Sequence, residues 1–350
     1  MDNPKQTFGS LTIVLCMLLA GVILLFRWSS SISNELFLIH KEPLCKKSNF
    51  NNSDIEECGD TLDCALAKAS MGNKTVIIAM VNRAYVEQDV ESDTTMLDIF
   101  LNSFWLGEGT RSLIHHILLV VVDQIAYDRC QFLKLNCFRL ETDGVDFEGE
   151  KVYMSQDFIK MMWRRTQFLL DVLKRGYNFV FTDTDVMWLR NPFTRLSKNE
   201  REDLQISTDM YNGDPRSKEN LINTGFYFVR SSNKTISLFE TWYDEKDNST
   251  GKKEQDVLLD LIRNGIIEKL EIRVRFLDTL YFSGFCQDSK DFRAVTTVHA
   301  NCCRSINAKV ADMKVALSDW KRFKRLQPNS TLNIPQWTKH DWCQKSWGKT

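Results

Sequence analysis

The sequence predicts an α/β fold with a largely parallel sheet, and three observations predict it. Thr75 to Val81 (TVIIAMV) and Ile114 to Val122 (IHHILLVVV) are continuous β-branched and apolar runs, the pattern of strands buried on both faces. Helical spacing over Thr95 to Leu106 separates them, which is a βαβ rhythm. A third apolar strand, Phe179 to Phe181, follows a long amphipathic segment from Gln156 to Lys174.

The 350 residues are 43% hydrophobic with only 15 Gly and 6 Pro, enough to bury one full core. Lys plus Arg (45) nearly cancels Asp plus Glu (46), so no global field favours nucleic acid or an anionic membrane surface. Phosphate recognition, if present, must be local.

At the N-terminus, the core Leu11 to Phe26 (LTIVLCMLLAGVILLF) suits a membrane-spanning helix, since about 20 residues cross a hydrocarbon layer. A cleaved signal peptide is the competing reading, but its apolar region is usually shorter and ends at a small-x-small site, whereas Arg27 and Trp28 end this one. The expected plan is a cytosolic tail over 1–10, a transmembrane signal anchor over 11–27, a Ser- and Asn-rich stem over 28–53 and a lumenal domain over 54–350. Asn-x-Ser/Thr sites at Asn51, Asn73, Asn233, Asn248 and Asn329 fit that topology. So do Cys45, Cys58, Cys64, Cys130, Cys137, Cys286, Cys302, Cys303 and Cys343, which are scattered without zinc-type spacing and point to disulfides in an oxidising lumen. Cys58 with Cys64 and Cys130 with Cys137 are plausible local pairs; the remaining connectivity stays open. An odd number leaves at least one thiol free or paired between chains.

In chain order, a short helix is expected over Asp60 to Ser70, then the first strand at Thr75, the helix from Thr95 and the second strand closing on Asp123. Over Gln156 to Lys174, Ser155 can cap the start, Asp157 suits the positive end and Gly176 can close the helix. Further elements are strands at Gly225 to Val229, near Arg273 to Leu277 and Val295 to His299, with helices at Ile236 to Tyr243 and Glu254 to Arg263.

The most chemical stretch is Asn178 to Phe193, NFVFTDTDVMWLRNPF. Residues two apart on an extended chain point to one side, so Asp183 and Asp185 face one spot at the carboxyl end of a strand, where open α/β sheets bind ligands. Two adjacent carboxylates repel each other by roughly 4 kcal/mol at about 4 Å and an effective dielectric of ~20 unless a cation lies between them. A metal site for a phosphorylated ligand follows.

The run from Gln156 through Phe193, with INTGFYFVRS (Ile222 to Ser231), EQDVLLDLI (Glu254 to Ile262) and HANCCRSINAK (His299 to Lys309), resembles the plant branch of the nucleotide-diphospho-sugar transferases of glycosyltransferase family 77. The resemblance covers about Asp54 to Trp320. It implies a GT-A fold, in which a Rossmann-like nucleotide-binding sheet is joined to a mixed C-terminal part, with a nucleotide-sugar donor, a glycan or glycoprotein acceptor, a divalent cation (usually Mn2+), and transfer with retention. A membrane-bound Golgi enzyme with its catalytic domain in the lumen, acting in cell-wall or protein glycosylation, is the corresponding expectation.

Carried over by residue, the resemblance implies Asp183, Asp185 and His299 as metal ligands, with Asp183 also near the ribose and Lys309 meeting the diphosphate. Asn223 and Gly225, expected in a turn, would lie against the donor sugar. Gln255 and Asp256 are the catalytic candidates, and which of them faces the sugar is open, because many relatives read Asp then Gln. On strand-end and helix-face grounds, Asn82 and Tyr85 would meet the base and ribose, and one of Lys160, Arg164 and Arg165, with Lys160 and Arg164 sharing a face, the diphosphate or acceptor. Trp337, Trp342 and Trp347 are candidates for stacking on an acceptor glycan, or for packing on the domain.

Two other functions compete. FTDTDVMWL also resembles the DxDx[TV] strand end of haloacid-dehalogenase phosphatases, where Asp183 would be the nucleophile. Strand order argues against it, since that motif normally follows a first strand. A non-catalytic lectin-like scaffold is the third reading.

Overall fold

The structure is a computed structural model that describes residues 62–87, 94–142, 147–199, 201–326 and 336–348. The expected tail, anchor and stem over 1–53 lie outside the described residues. Among the described residues, no helix is long and apolar enough to cross a membrane.

The chain runs α1 (Leu62–Ala69), β1 (Thr75–Val81), α2 (Arg83–Val86), α3 (Met96–Leu106), β2 (Ile117–Val121), α4 (Gln124–Phe132), β3 (Asn136–Arg139), α5 (Gln156–Lys174), β4 (Asn178–Thr182) and β5 (Val186–Trp188). It continues through β6 (Leu204–Met210), β7 (Leu221–Val229), α6 (Asn233–Asp244), α7 (Glu254–Arg263), α8 (Ile266–Lys269), β8 (Val274–Phe276), β9 (Phe282–Gly284), β10 (Thr297–His299), α9 (Ile306–Arg325) and α10 (Asp341–Lys345).

Seven strands form one sheet in the order β3-β2-β1-β4-β7-β6-β8. The first four of that row are parallel, β7 is antiparallel to both neighbours, and β8 is parallel to β6. This is a mixed, parallel-rich α/β sheet of GT-A-like form. Alternation along β1 splits the core as a period of two requires: Val76 and Ile78 pack on one face with α5, α6 and α7 residues, Ile77 and Ala79 on the other with Phe100 and Phe104 of α3.

Several predicted elements are found at their expected bounds. β1, α5 and α7 match residue for residue, and Ser155 Oγ accepts from Phe158 N as the N-cap of α5. Gly176 adopts φ +77 after that helix, a conformation only glycine takes at little cost. The second strand starts later than expected, at Ile117, because Arg111–His116 forms a 3-10 turn whose His116 Nδ1 lies 3.0 Å from the Ala69 carbonyl. β7 starts earlier, at Leu221, so Asn223, Thr224 and Gly225 belong to a strand and not to a turn. Pairing with β6 explains this: Ser207 lies opposite Asn223 and Thr208 opposite Ile222, with irregularities at Ile206/Ser207 and Thr208/Met210.

A second sheet, β5-β10-β9, positions the site. β5 leaves the aspartate turn and pairs antiparallel with β10, setting Val186 opposite His299. Disulfides join Cys130 to Cys137, Cys286 to Cys302 and Cys303 to Cys343. Cys64 is also disulfide-bonded, whereas Cys45 and Cys58 lie outside the described residues.

Candidate active site

The two aspartates sit in a tight turn between β4 and β5, closed by Val186 N donating to the Asp183 carbonyl at 3.2 Å. Their shared direction therefore comes from a turn; the extended chain assumed from the sequence ends at Thr182. One ligand atom each from Asp183, Asp185 and His299 lies within 4.8 Å of the others. The backbone fixes this approach twice, since Asp183 N donates to the Gly225 carbonyl at 2.7 Å and Ala300 N to the Asp185 carbonyl at 3.0 Å.

Asp185 is buried and takes two partners: Lys309 Nζ at 2.7 Å from Oδ2 and His299 Nε2 at 3.3 Å from Oδ1. Burial alone would raise its carboxyl, but the Lys309 ammonium, followed by His299, outweighs that and holds it well below the usual carboxylate range. In return, Asp185 raises both Lys309 and His299 against the lowering effect of burial. Asp183 keeps about a third of its side chain open (35%) and accepts from Arg165 Nη1 at 3.0 Å. Burial raises its carboxyl, Arg165 opposes this and the Asp185 charge adds to it. Two carboxylates of opposite tendency beside an imidazole are a donor set that fits a divalent cation. The structure already supplies a stand-in positive charge there, the Lys309 ammonium.

A cavity of about 250 Å³ opens over this group, lined among others by Asn82, Tyr85, Asp183, Asp185, Asp209, Asn223, Gly225, Gln255 and Lys309. Gly225 is required: a Cβ there would come within 2.3 Å of His299 Cε1 and 2.8 Å of Asp183 Oδ2. Asn223 Oδ1 accepts from Gly225 N at 2.7 Å, and its Nδ2 donates to Asp209 at 2.8 Å. Asn301 donates to the same Asp209 oxygen at 2.7 Å. Burial pushes the Tyr85 hydroxyl up to about 12, so it stays a neutral donor.

Other expected residues are placed differently. Asn82 lines the cavity, but its amide donates to the Phe147 and Gly149 carbonyls at 2.7 and 2.8 Å and its oxygen accepts from Ala84 N. It therefore holds a loop. On α5 the face assignment was off by one position. Lys160 is exposed, Arg164 donates to the Glu141 carbonyl at 2.9 Å, and neither lines the cavity. The inward cation is Arg165, 5% exposed, which joins Asp183 to Glu254 (2.7 Å) and stacks 4.6 Å from the Phe181 ring. Helical period explains the shift: Arg165 shares a side with Phe168 and Leu169, three and four residues on, both buried.

Of the two catalytic candidates, only Gln255 reaches the cavity. Gln255 lines the cavity and its Oε1 accepts from Thr224 N at 3.0 Å. Asp256 does not line it, whereas buried Glu254 does. The acid-then-amide order expected of relatives is thus present as Glu254-Gln255. Its signal in the sequence was Glu254 immediately before Gln255 at a helix start.

Residues 112–313 match the family described as Nucleotide-diphospho-sugar transferase, a span that contains every side chain from Asp183 to Lys309 discussed above. Two uncharacterized proteins of Arabidopsis thaliana are similar to this chain. One is 58% identical over 83% of this chain and 85% of its own length, the other 38% identical over 85% and 76%. A third relative, the UDP-D-xylose:L-fucose alpha-1,3-D-xylosyltransferase 3 of Arabidopsis thaliana, is 26% identical over 70% of this chain and 64% of its own. A match over more than half of the chain, with relatives at these identities, sets the affiliation: this chain belongs to the plant nucleotide-diphospho-sugar transferases and is a glycosyltransferase.

Proposed function

We propose that the chain moves a pentose or hexose from a nucleotide-diphosphate sugar to a glycan or glycoprotein acceptor, with retention of configuration and with a divalent cation, Mn2+ in the first instance. The observation that carries this reading is the convergence of Asp183, Asp185 and His299 within 4.8 Å, beside a cavity lined by the two aspartates, Lys309 and Glu254-Gln255.

Asp183, Asp185 and His299 would hold the cation, which when bound supplies positive charge to the donor's diphosphate. Lys309 offsets charge on the departing diphosphate, because its ammonium is buried and held protonated by Asp185. Gln255 has its oxygen occupied by Thr224, which leaves its amide hydrogens for the donor sugar. Gly225 gives the sugar a floor without a side chain. Tyr85 is the donor that faces the ligand from β1's end. In a front-face transfer, the C1–O bond to phosphate breaks, the C1–O bond to the acceptor forms, and the acceptor proton goes to the leaving phosphate oxygen. No protein base is needed.

The relative named a UDP-D-xylose:L-fucose xylosyltransferase supports a UDP-sugar as the first donor to try. The apolar segment over 11–27, the sequons and the disulfides support a single-pass anchor with a lumenal Golgi domain, in cell-wall or protein glycosylation. The phosphatase alternative is not favoured. The chain's family is a transferase family, the aspartates follow the fourth strand, and Oδ1 of the would-be nucleophile Asp183 is engaged by Arg165.

The test is hydrolysis of a panel of UDP-sugars by the full chain with and without Mn2+. Slow manganese-dependent release of UDP from one sugar is expected. Release from none, with phosphomonoesters turned over instead, refutes the reading.

A further inference from the structure

Part of the cavity wall has no place in the donor assignment: Tyr153, Lys253, Arg304 and Trp347. Trp347 is 46% and Tyr153 39% exposed beside this cavity, whereas Trp188, Trp242 and Trp320 are fully buried in the core. Neither is loosely held. Trp347 Nε1 donates to the Cys302 carbonyl at 2.7 Å, and the Arg304 guanidinium lies 3.9 Å from its ring. Arg304 N donates to Ser346 Oγ at 3.0 Å, and the Cys303–Cys343 disulfide ties α10 to the same segment. Tyr153 packs 5.4 Å from Phe158, with the Lys253 ammonium 5.6 Å and the Arg304 guanidinium 5.9 Å from its ring centre.

Aromatic faces fixed in this way lose little conformational entropy when a ligand covers them. They are electron-rich, and sugar rings offer a face of weakly positive C–H groups; the neighbouring cations offer hydrogen-bond donors to hydroxyls. Position in the chain separates Trp347 from the donor machinery, while Tyr153, Lys253 and Arg304 lie within the matched span. The family match ends at residue 313 and contains every residue assigned to the donor from Asp183 onward, whereas Trp347 lies 34 residues beyond it (347 minus 313).

We propose that Trp347, Arg304 and Tyr153 form the acceptor subsite, a shelf on which one sugar ring of the acceptor glycan lies by its C–H face while Arg304 and Lys253 donate to its hydroxyls. The assignment deepens the transferase reading and rests on it. A nucleobase is the other flat ligand that such a shelf attracts, and the experiment separates the two.

With the full chain, acceptor KM and donor KM are measured for wild type, Trp347→Ala, Trp347→Phe and Trp342→Ala, using the methyl glycosides of fucose, galactose, xylose and galacturonic acid as acceptors. The expected result is an at least tenfold rise in the ratio of acceptor KM to donor KM for Trp347→Ala, with partial recovery in Trp347→Phe. Trp342, 61% exposed and outside the cavity lining, leaves the ratio unmoved. An unmoved ratio in Trp347→Ala overturns the proposal, and a rise in donor KM instead assigns the shelf to the base and also overturns it. Saturation-transfer NMR of the same glycosides gives a readout without turnover. Ring-proton signals present for wild type and lost in Trp347→Ala support the shelf, and their absence from wild type overturns it. Failure of wild type to hydrolyse any UDP-sugar sinks the transferase reading separately.

Discussion

Lys309 places its ammonium 2.7 Å from Oδ2 of Asp185, so the carboxylate expected to hold a cation already holds one from its own chain. On the proposed reading, a divalent cation would compete with Lys309 for Asp185 and leave the Lys309 ammonium for the diphosphate. Lys309→Ala is expected to bind Mn2+ alone no more weakly than wild type, and to bind UDP with Mn2+ at least tenfold more weakly. Isothermal titration of each ligand checks both halves, and weaker binding of Mn2+ alone would contradict the competition.

Arg165 and Arg164 are neighbours with opposite fates. Arg165 is buried between Asp183 and Glu254, and its removal strands two acids, a loss of about 3–5 kcal/mol. Arg164→Ala touches only an exposed carbonyl contact and is expected to stay within about 0.5 kcal/mol of wild type. Urea unfolding of the two variants tests the contrast.

Gly225→Ala forces a methyl group into the space of His299 Cε1 and Asp183 Oδ2. Turnover of the nucleotide sugar should fall by about a hundredfold, since small displacements of positioned groups carry large rate penalties. A variant with wild-type turnover would show that the two side chains move apart freely.

Acid behaviour follows from Asp185. Its carboxyl is depressed in the folded state, so the stability it contributes is present above the unfolded value of about 4 and is lost as pH falls through the depressed folded value. The unfolding free energy of wild type minus that of Asp185→Asn should be positive at neutral pH and shrink as pH is lowered from about 5 toward 2. Denaturant titrations across that range measure it; a difference independent of pH would mean that Asp185 is not ionised in the fold.

Much of the sheet was legible because fully apolar runs such as Thr75–Val81 have one physical outcome, burial on both faces. β5 and β9, three residues each, are too short to carry a period, whereas β10 falls at the end of the strand expected over Val295 to His299, and its pairing with β5 brings His299 to Asp185. Asn223-Thr224-Gly225 reads as a turn by composition; long-range pairing with β6 overrides that preference. Asp183 and Asp185 were legible as paired carboxylates at a strand end, and His299 and Lys309 through the family resemblance. Arg165 could not be singled out from Lys160 and Arg164, and Glu254 was passed over for Asp256, because only the packing of α5 and α7 distinguishes inward from outward.

The pairing of Val186 with His299 has a wider consequence. Residues more than a hundred positions apart are stitched by main-chain hydrogen bonds, which do not depend on the identity of surrounding side chains. Changes in surface loops and tail residues would thus leave the Asp185–His299 geometry intact. Divergence in what is glycosylated then needs no reinvention of how the sugar is activated.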